Sequence, residues 1–430
     1  MLEASYVGRF AHRLLQEIDL AQPANLRDPN SGMTYYQAAQ ALAKQYRAGV
    51  PIQNVAPIPF WEHFFPMASS ANGGAIQGCS VGSTPGGNTI AKFTATQAMY
   101  DMCDCYGMSG QSNTVAGSVA GNETSGLANI DVPNYFGVTP PNGQPCYPAC
   151  ATINGKMTPF AFYSPQYSSL DSWASIGNSA YNSGQISLRH HAGGLSFDVN
   201  YTYSKSIDVG SNAERISVFE GLGFSSQIIN AWAPKQLRAP SDFDATHMIN
   251  SNWVYELPLG KGKRFGAGMS KFADAVLGGW QISGLWRWST GYPFDVYAFN
   301  NWSTNWDLES YGVLTGPKPK TGQFIVAQAG AGRGPNVFKN PGITNPTDPN
   351  AAINLFRYSY PGESGQRNEL RGPGSFNIDM GLARAWKITE SQNLKLSWEV
   401  FNVTNSARFD VGSMMNNNNF WTVPPLSATS

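Results

Sequence analysis

The period of hydrophobic positions changes along this chain. Leu195, Phe197, Val199, Tyr201 and Tyr203 alternate with polar residues from 195 to 204 without an error. A period of two predicts a strand with one apolar face. Upstream, Ile186 and Leu188 alternate with Ser187 and Arg189, and Ala192-Gly193-Gly194 between the two runs predicts a hairpin turn. Ile249, Trp253 and Tyr255 share a parity in a noisier run, followed by Trp280, Ile282, Trp286 and Trp288. A third pair has Phe376, Ile378, Met380 and Leu382, then Leu394, Leu396, Trp398 and Val400. With Met1–Gly8 read as a strand end, the pattern predicts an all-β fold of about seven antiparallel strands. One helix is expected near 34–48, from the capping box Thr34-x-x-Gln37, the Ala/Leu run behind it and Gly49 at its end.

The connections are lopsided. Short ones fall at 192–194, 257–277 and 387–392; long ones fall at 9–182, 205–242, 293–374 and 404–430. Strands with short turns at one end and long loops at the other are what outer-membrane barrels show. A sandwich in water has the same alternation, with its apolar face turned to a dry core instead of lipid. Runs of about ten residues match the ~9–11 needed to cross a bilayer at a tilt. Aromatics gather at run ends, as membrane interfaces favour.

Composition narrows the choice. The chain has 430 residues, with Lys+Arg 28 against Asp+Glu 28, so a formal net charge of zero. That balance gives no electrostatic grip on nucleic acid. Charged residues are 13% of the chain, against roughly 25% in soluble domains, and no run of ~18 apolar residues predicts a membrane helix. The charges also obey the parity. Arg189, Asp198, Arg287, Asp379, Lys395 and Glu399 sit opposite the apolar stripe, while Arg384 shares it near a run end beside Trp386.

Candidate chemistry is sparse. Cys79, Cys103, Cys105, Cys146 and Cys150 crowd one stretch with no histidine among them, and Cys103-x-Cys105 lacks zinc spacing. They are read as one or two disulfides in an oxidising space, with one cysteine left over. His190 and His191 are adjacent on a strand and point to opposite faces, so they do not share a metal. Gly260-Lys-Gly-Lys-Arg-Phe-Gly266 lacks phosphate-loop spacing and is read as a basic turn. Asp242/Asp244 and Asp307/Glu309 are read as solvated loop acids. Pro59-Phe60-Trp61 and the Trp302–Trp306 segment are aromatic clusters that either order the loops or stack on a ligand. No catalytic residue, metal or cofactor is expected.

Several stretches taken together resemble the TonB-dependent receptors, particularly the Oar-like receptors of acidobacteria. They are Tyr201-Thr-Tyr-Ser-Lys-Ser-Ile-Asp208, Leu237-Arg-Ala-Pro-Ser-Asp-Phe-Asp-Ala-Thr-His247, Gly278-Gly-Trp-Gln-Ile-Ser-Gly284, Arg367-Asn-Glu-Leu-Arg-Gly-Pro-Gly374 and Glu399-Val-Phe-Asn-Val-Thr-Asn405. The resemblance implies a 22-stranded outer-membrane barrel, occluded by a plug, that imports a large ligand with energy from an inner-membrane complex. The plug is not in this sequence, and the chain is expected to be the C-terminal third to half of such a receptor.

The expected division is then residues 1–8 as a strand end, 9–182 as an extracellular loop region with the cysteines, 183–403 as barrel strands with loops, and 404–430 as a loop tail before a missing last strand. The six opposite-parity charges are expected to face the lumen. About seven strands cannot close a barrel of that size, so an open, curved sheet with unpaired edges is expected. The alternative is a secreted glycan-binding or adhesin-like β-sandwich; a loop-rich glycosidase is a further rival.

Overall fold

The computed structural model describes residues 1–72, 76, 90–102, 152–153, 156–157, 170–211, 228–296, 304–305, 308, 310–328, 332–342, 347–409 and 411. Among the described residues there are nine strands longer than two residues. The first five are β1 (Leu2–Asp19), β2 (Asp171–Ala192), β3 (Leu195–Asp208), β4 (His247–Glu256) and β5 (Trp280–Ser289). Then come β6 (Thr321–Gln328), β7 (Gly332–Phe338), β8 (Ser375–Lys387) and β9 (Asn393–Val400). Strands β6 and β7 form a hairpin of their own inside a loop. The other seven make one antiparallel sheet in the order β1-β2-β3-β4-β5-β8-β9. Each of the seven pairs with the next of the seven along the chain, β5 meeting β8 across the β6–β7 insertion, and among the described residues β1 and β9 do not pair with one another. The sheet is open, as the strand count requires.

Turn chemistry sets the short end. Gly193 and Gly194 form the β2–β3 turn with φ +62° and +80°. A two-residue turn with both φ positive matches strand twist, and glycine enters that region without strain. The same end holds the 257–279 and 388–392 connections, while 20–170, 209–246 and 290–374 lie at the other. Two strands overrun their expected limits: β1 continues to Asp19 instead of residue 8, and β2 begins at Asp171 instead of 183. Crossing a bilayer takes ~9–11 residues, so these two rise beyond the other strands, and Ile18 and Ile176 reach a hydrophobic cluster at the long-loop end.

The buried core lies in the loops. Helices α1 (Tyr35–Arg47), α2 (Pro59–Phe64) and α3 (Ala95–Met102) pack Leu42, Phe60, Trp61 and Met99 out of water. The expected capping box is present: the Thr34 side chain accepts from the Gln37 N–H, and the Gln37 side chain accepts from the Thr34 N–H at 2.9 Å. A second cluster gathers Phe294, Val337, Phe338 and Leu370, and a third Val209, Ile228, Ile229, Leu237 and Tyr311. None contains Phe197, Ile282 or Leu396. A sandwich would place those three between two layers, and no second layer covers them among the described residues.

Candidate functional site

Register fixes which residues share each face, because directly opposed residues project to the same side. Leu188 lies opposite Val199, Phe197 opposite Trp253, Tyr255 opposite Ile282, Ile282 opposite Leu382, and Leu382 opposite Trp398. One apolar face therefore runs across the sheet. Leu396 is 54% and Trp398 69% exposed on it. A continuous uncovered apolar surface of this extent marks contact with another apolar phase.

Aromatic groups edge this face at both ends. At the short-turn end the rings of Trp280 and Trp386 meet edge-on at 6.3 Å, with the Arg384 guanidinium 4.8 Å from the Trp386 ring. At the other end the Tyr201 hydroxyl and His247 Nδ1 share a 2.8 Å hydrogen bond, and Tyr203 and Trp288 flank the same imidazole at 5.1 and 6.4 Å.

The opposite face is polar and holds all six charges singled out from sequence. Arg189 stands across from Asp198, which stands across from Asn252. Arg287 lies opposite Asn377, and Lys395 and Glu399 sit on the edge strand β9 opposite Ala385 and Gly381. Arg189 pairs with Asp198 at 3.2 Å. Asn200 donates to Asp198 at 2.7 Å, Ser187 donates to Asn200 at 2.6 Å, and Asn377 donates to Asp379 at 3.0 Å. The face is thus a hydrogen-bonded polar surface in which Arg189 and Asp198 meet directly.

Above the strand tops sits a cluster that sequence reasoning missed. Arg367 reaches Asp208 and Asp242, each at 2.8 Å, and also donates to the Ser211 hydroxyl at 2.6 Å. Asn368, at φ +53°, donates its backbone N–H to Asp295 and its amide to Asp242 and to the Pro240 carbonyl, both at 2.7 Å. Arg371 pairs with the buried Asp244, whose carboxylate also accepts the Ser206 N–H at 2.6 Å. Asp242 and Asp244 are therefore not solvated loop acids: the arginines of the 367–371 segment claim both. Asp307 and Glu309 lie outside the described residues.

Burial pushes the Asp295 carboxyl up to about 7; the Asn368 hydrogen bond opposes this, the Asp242 charge adds to it and Arg367 opposes it. Burial alone would lower the Arg367 guanidinium, but Asp242, Tyr311 and Asp208 outweigh it and hold it charged. The cluster clamps the loops at 208–211, 237–244, 293–295 and 367–371 into one unit. A groove of about 420 Å³ lies along β6 and β7, with Phe324, Ile325, Val326, Arg333, Lys339 and Asn340 on its wall.

The other expected sites resolve as structure. Phe60 and Trp61 are fully buried, their rings edge-on at 5.0 Å, so they order the loop. His190 stacks on Phe197 while His191 bonds Ser196 at 2.5 Å. Within the 260–266 turn the Lys261 N–H donates to the Asp274 carboxylate at 2.6 Å. The five cysteines, Trp302 and Trp306 lie outside the described residues.

Comparison with known proteins agrees with this geometry. The family described as "Outer membrane beta barrel domain" matches residues 110–425, almost three quarters of the chain. The chain belongs to that family. Its antiparallel strands are accordingly those of an outer-membrane barrel, here a sheet with two open edges. Among solved structures the chain is similar to the outer membrane transporter YddB from Escherichia coli, with 12% identity and a TM-score of 0.26 over 55% of this chain and 23% of that one. The chain thus spans less than a quarter of that transporter's length. No curated protein matches it.

Proposed function

We propose that this chain forms part of the wall of a TonB-dependent, Oar-like receptor that binds a large ligand outside the cell and passes it through a gated barrel. In this reading Arg189, Asp198, Arg287, Asp379, Lys395 and Glu399 face the lumen and a plug encoded outside this chain. The long loops stand outside the cell, and an inner-membrane complex supplies the energy through that plug. The observation that carries it is the pairing of two faces on one sheet, apolar and uncovered on one side, polar and hydrogen-bonded on the other. The five receptor-like motifs and the loop asymmetry support the finer assignment. Transport of this kind is binding plus gated passage, with no covalent step.

Two measurements test it. In a background with the native cysteines replaced by serine, Phe197→Cys and Asp198→Cys are labelled in membranes. A lipid-soluble maleimide is expected to mark position 197 and a water-soluble one position 198; the reverse result inverts the faces. A strain lacking the intact gene is then expected to lose uptake of a large solute, and to lose it equally when the inner-membrane energising complex is removed. Uptake that persists without that complex ends the TonB-dependent part.

A further inference from the structure

The connection between β4 and β5 is larger than a barrel turn needs. It carries a glycine-hinged basic turn, 260–266, and a short helix α4 (Lys271–Leu277). The C-terminal carbonyls of a helix lack partners within it. Here the barrel wall supplies donors: Trp386 to the Ala275 carbonyl at 2.8 Å, Trp280 to Val276 at 2.9 Å, and Arg384 at 2.8 Å to the Asp274 carbonyl, which also accepts the Gly278 N–H at 2.9 Å. All three donors belong to the apolar face, with Arg384 directly opposite Trp280. The helix is therefore fastened at the lipid side of the wall.

Its own side chains divide accordingly. Asp274 points back into the turn, accepting the Lys261 N–H. Phe272 and Val276, four apart and so on one side of the helix, are 81% and 50% exposed, and Leu277 and Phe265 are exposed as well. Lys261, Arg264 and Lys271 are also exposed, while Lys263 pairs with Glu256 at 3.4 Å. Apolar side chains continuous with a lipid-facing wall, rimmed by cations at the short-turn end, match an interfacial helix on an anionic surface.

We propose that α4 and the 260–266 turn anchor the barrel rim in the inner leaflet. Phe272 and Val276 sit at the acyl–headgroup boundary, and Lys261, Arg264 and Lys271 hold anionic phospholipid headgroups. This rests on the lipid-facing assignment of the apolar face.

The test uses the full chain in liposomes of mixed phosphatidylglycerol and phosphatidylcholine. Phe272, Leu396 and Phe243, an exposed residue of an outer loop, are replaced one at a time by p-benzoylphenylalanine and irradiated. Lipid adducts are expected at 272 and 396 and not at 243, with phosphatidylglycerol over-represented at 272. The triple variant Lys261→Gln, Arg264→Gln, Lys271→Gln should lose that over-representation, about fivefold per cation at low salt. Adducts at 396 but none at 272 overturn the anchor and leave the apolar wall standing. Adducts at neither overturn both. Adducts at 272 with no headgroup preference overturn the anionic assignment.

Discussion

Arg367 and Asp208 meet at 2.8 Å with 1% and 8% of their side chains exposed, although 159 residues separate them in the chain. Removing one partner of a buried pair strands the other charge without water. Such a loss costs about 3–5 kcal/mol, more than the pair contributes against an apolar replacement. Arg367→Met should therefore loosen the outer loops, read as earlier protease cleavage between 209 and 246 on warming. Adding Asp208→Asn removes the more buried of the two stranded carboxylates, leaving the partly exposed Asp242, and cleavage should move part of the way back toward the original temperature. The sheet meets this pair only at Asp208, the last residue of β3, and should keep most of its resistance to unfolding in detergent.

Asp295 gives the same loop unit a pH dependence. Its carboxyl is raised to about 7, chiefly by burial, from an ordinary 3.8. The folded state then holds a proton that the unfolded chain has released, so stability falls as pH rises from about 4 through 7. Asp295→Asn mimics the protonated form and keeps an oxygen for the Asn368 N–H. Its stability relative to the parent should rise across that window and flatten above it, measured by loop hydrogen exchange at pH 5 and pH 8. A relative stability that stays flat from pH 5 to pH 8 would mean that Asp295 is charged in the folded loops.

Within the sheet, Gly284 lies opposite Trp253, and a Cβ there would stand 2.1 Å from the Trp253 ring. The indole covers the bare backbone of its cross-strand neighbour. Gly284→Val must displace that ring, an overpacking change of about 1–3 kcal/mol. The urea midpoint of the sheet in micelles should drop, and Trp253→Ala combined with Gly284→Val should restore part of it by vacating the space.

These contacts show what can be read from the chain and what cannot. Alternation is local, so 195–204 announced its strand, and Thr34 with Gln37 announced α1. The outer half of β1 was hidden by a bulge. Arg13, at φ +58°, is an extra residue between His12 and Leu14, and one inserted residue flips every later side chain to the other face. The start of β2 was hidden because Ser175, Asn178 and Ser179 stand where no membrane demands apolar alternation. The arginine hub was hidden for a different reason: Arg367 finds Asp208, Asp242 and Asn368's partner Asp295 only after three loops have folded together.

Tyr360 joins the helical loop region to the outer loop by a contact of the same long-range kind. Its ring is met by two guanidinium groups, Arg47 at 4.2 Å and Arg357 at 4.4 Å. Arg357 is held there by both oxygens of Glu363, at 2.8 and 3.2 Å, and Arg47 by the carbonyls of Tyr358 and Ser359, each at 2.9 Å. Each cation–ring contact contributes about 0.5–2 kcal/mol, depending on how much water is excluded. Tyr360→Ala loses both contacts together and should speed exchange of the α1 amides by about one to two orders of magnitude. Tyr360→Phe keeps the ring and should leave exchange nearly unchanged, because the attraction comes from the ring face. Equal loss in the two variants would assign the effect to the hydroxyl and remove the cation–ring contact as the fastening of α1 to the outer loop.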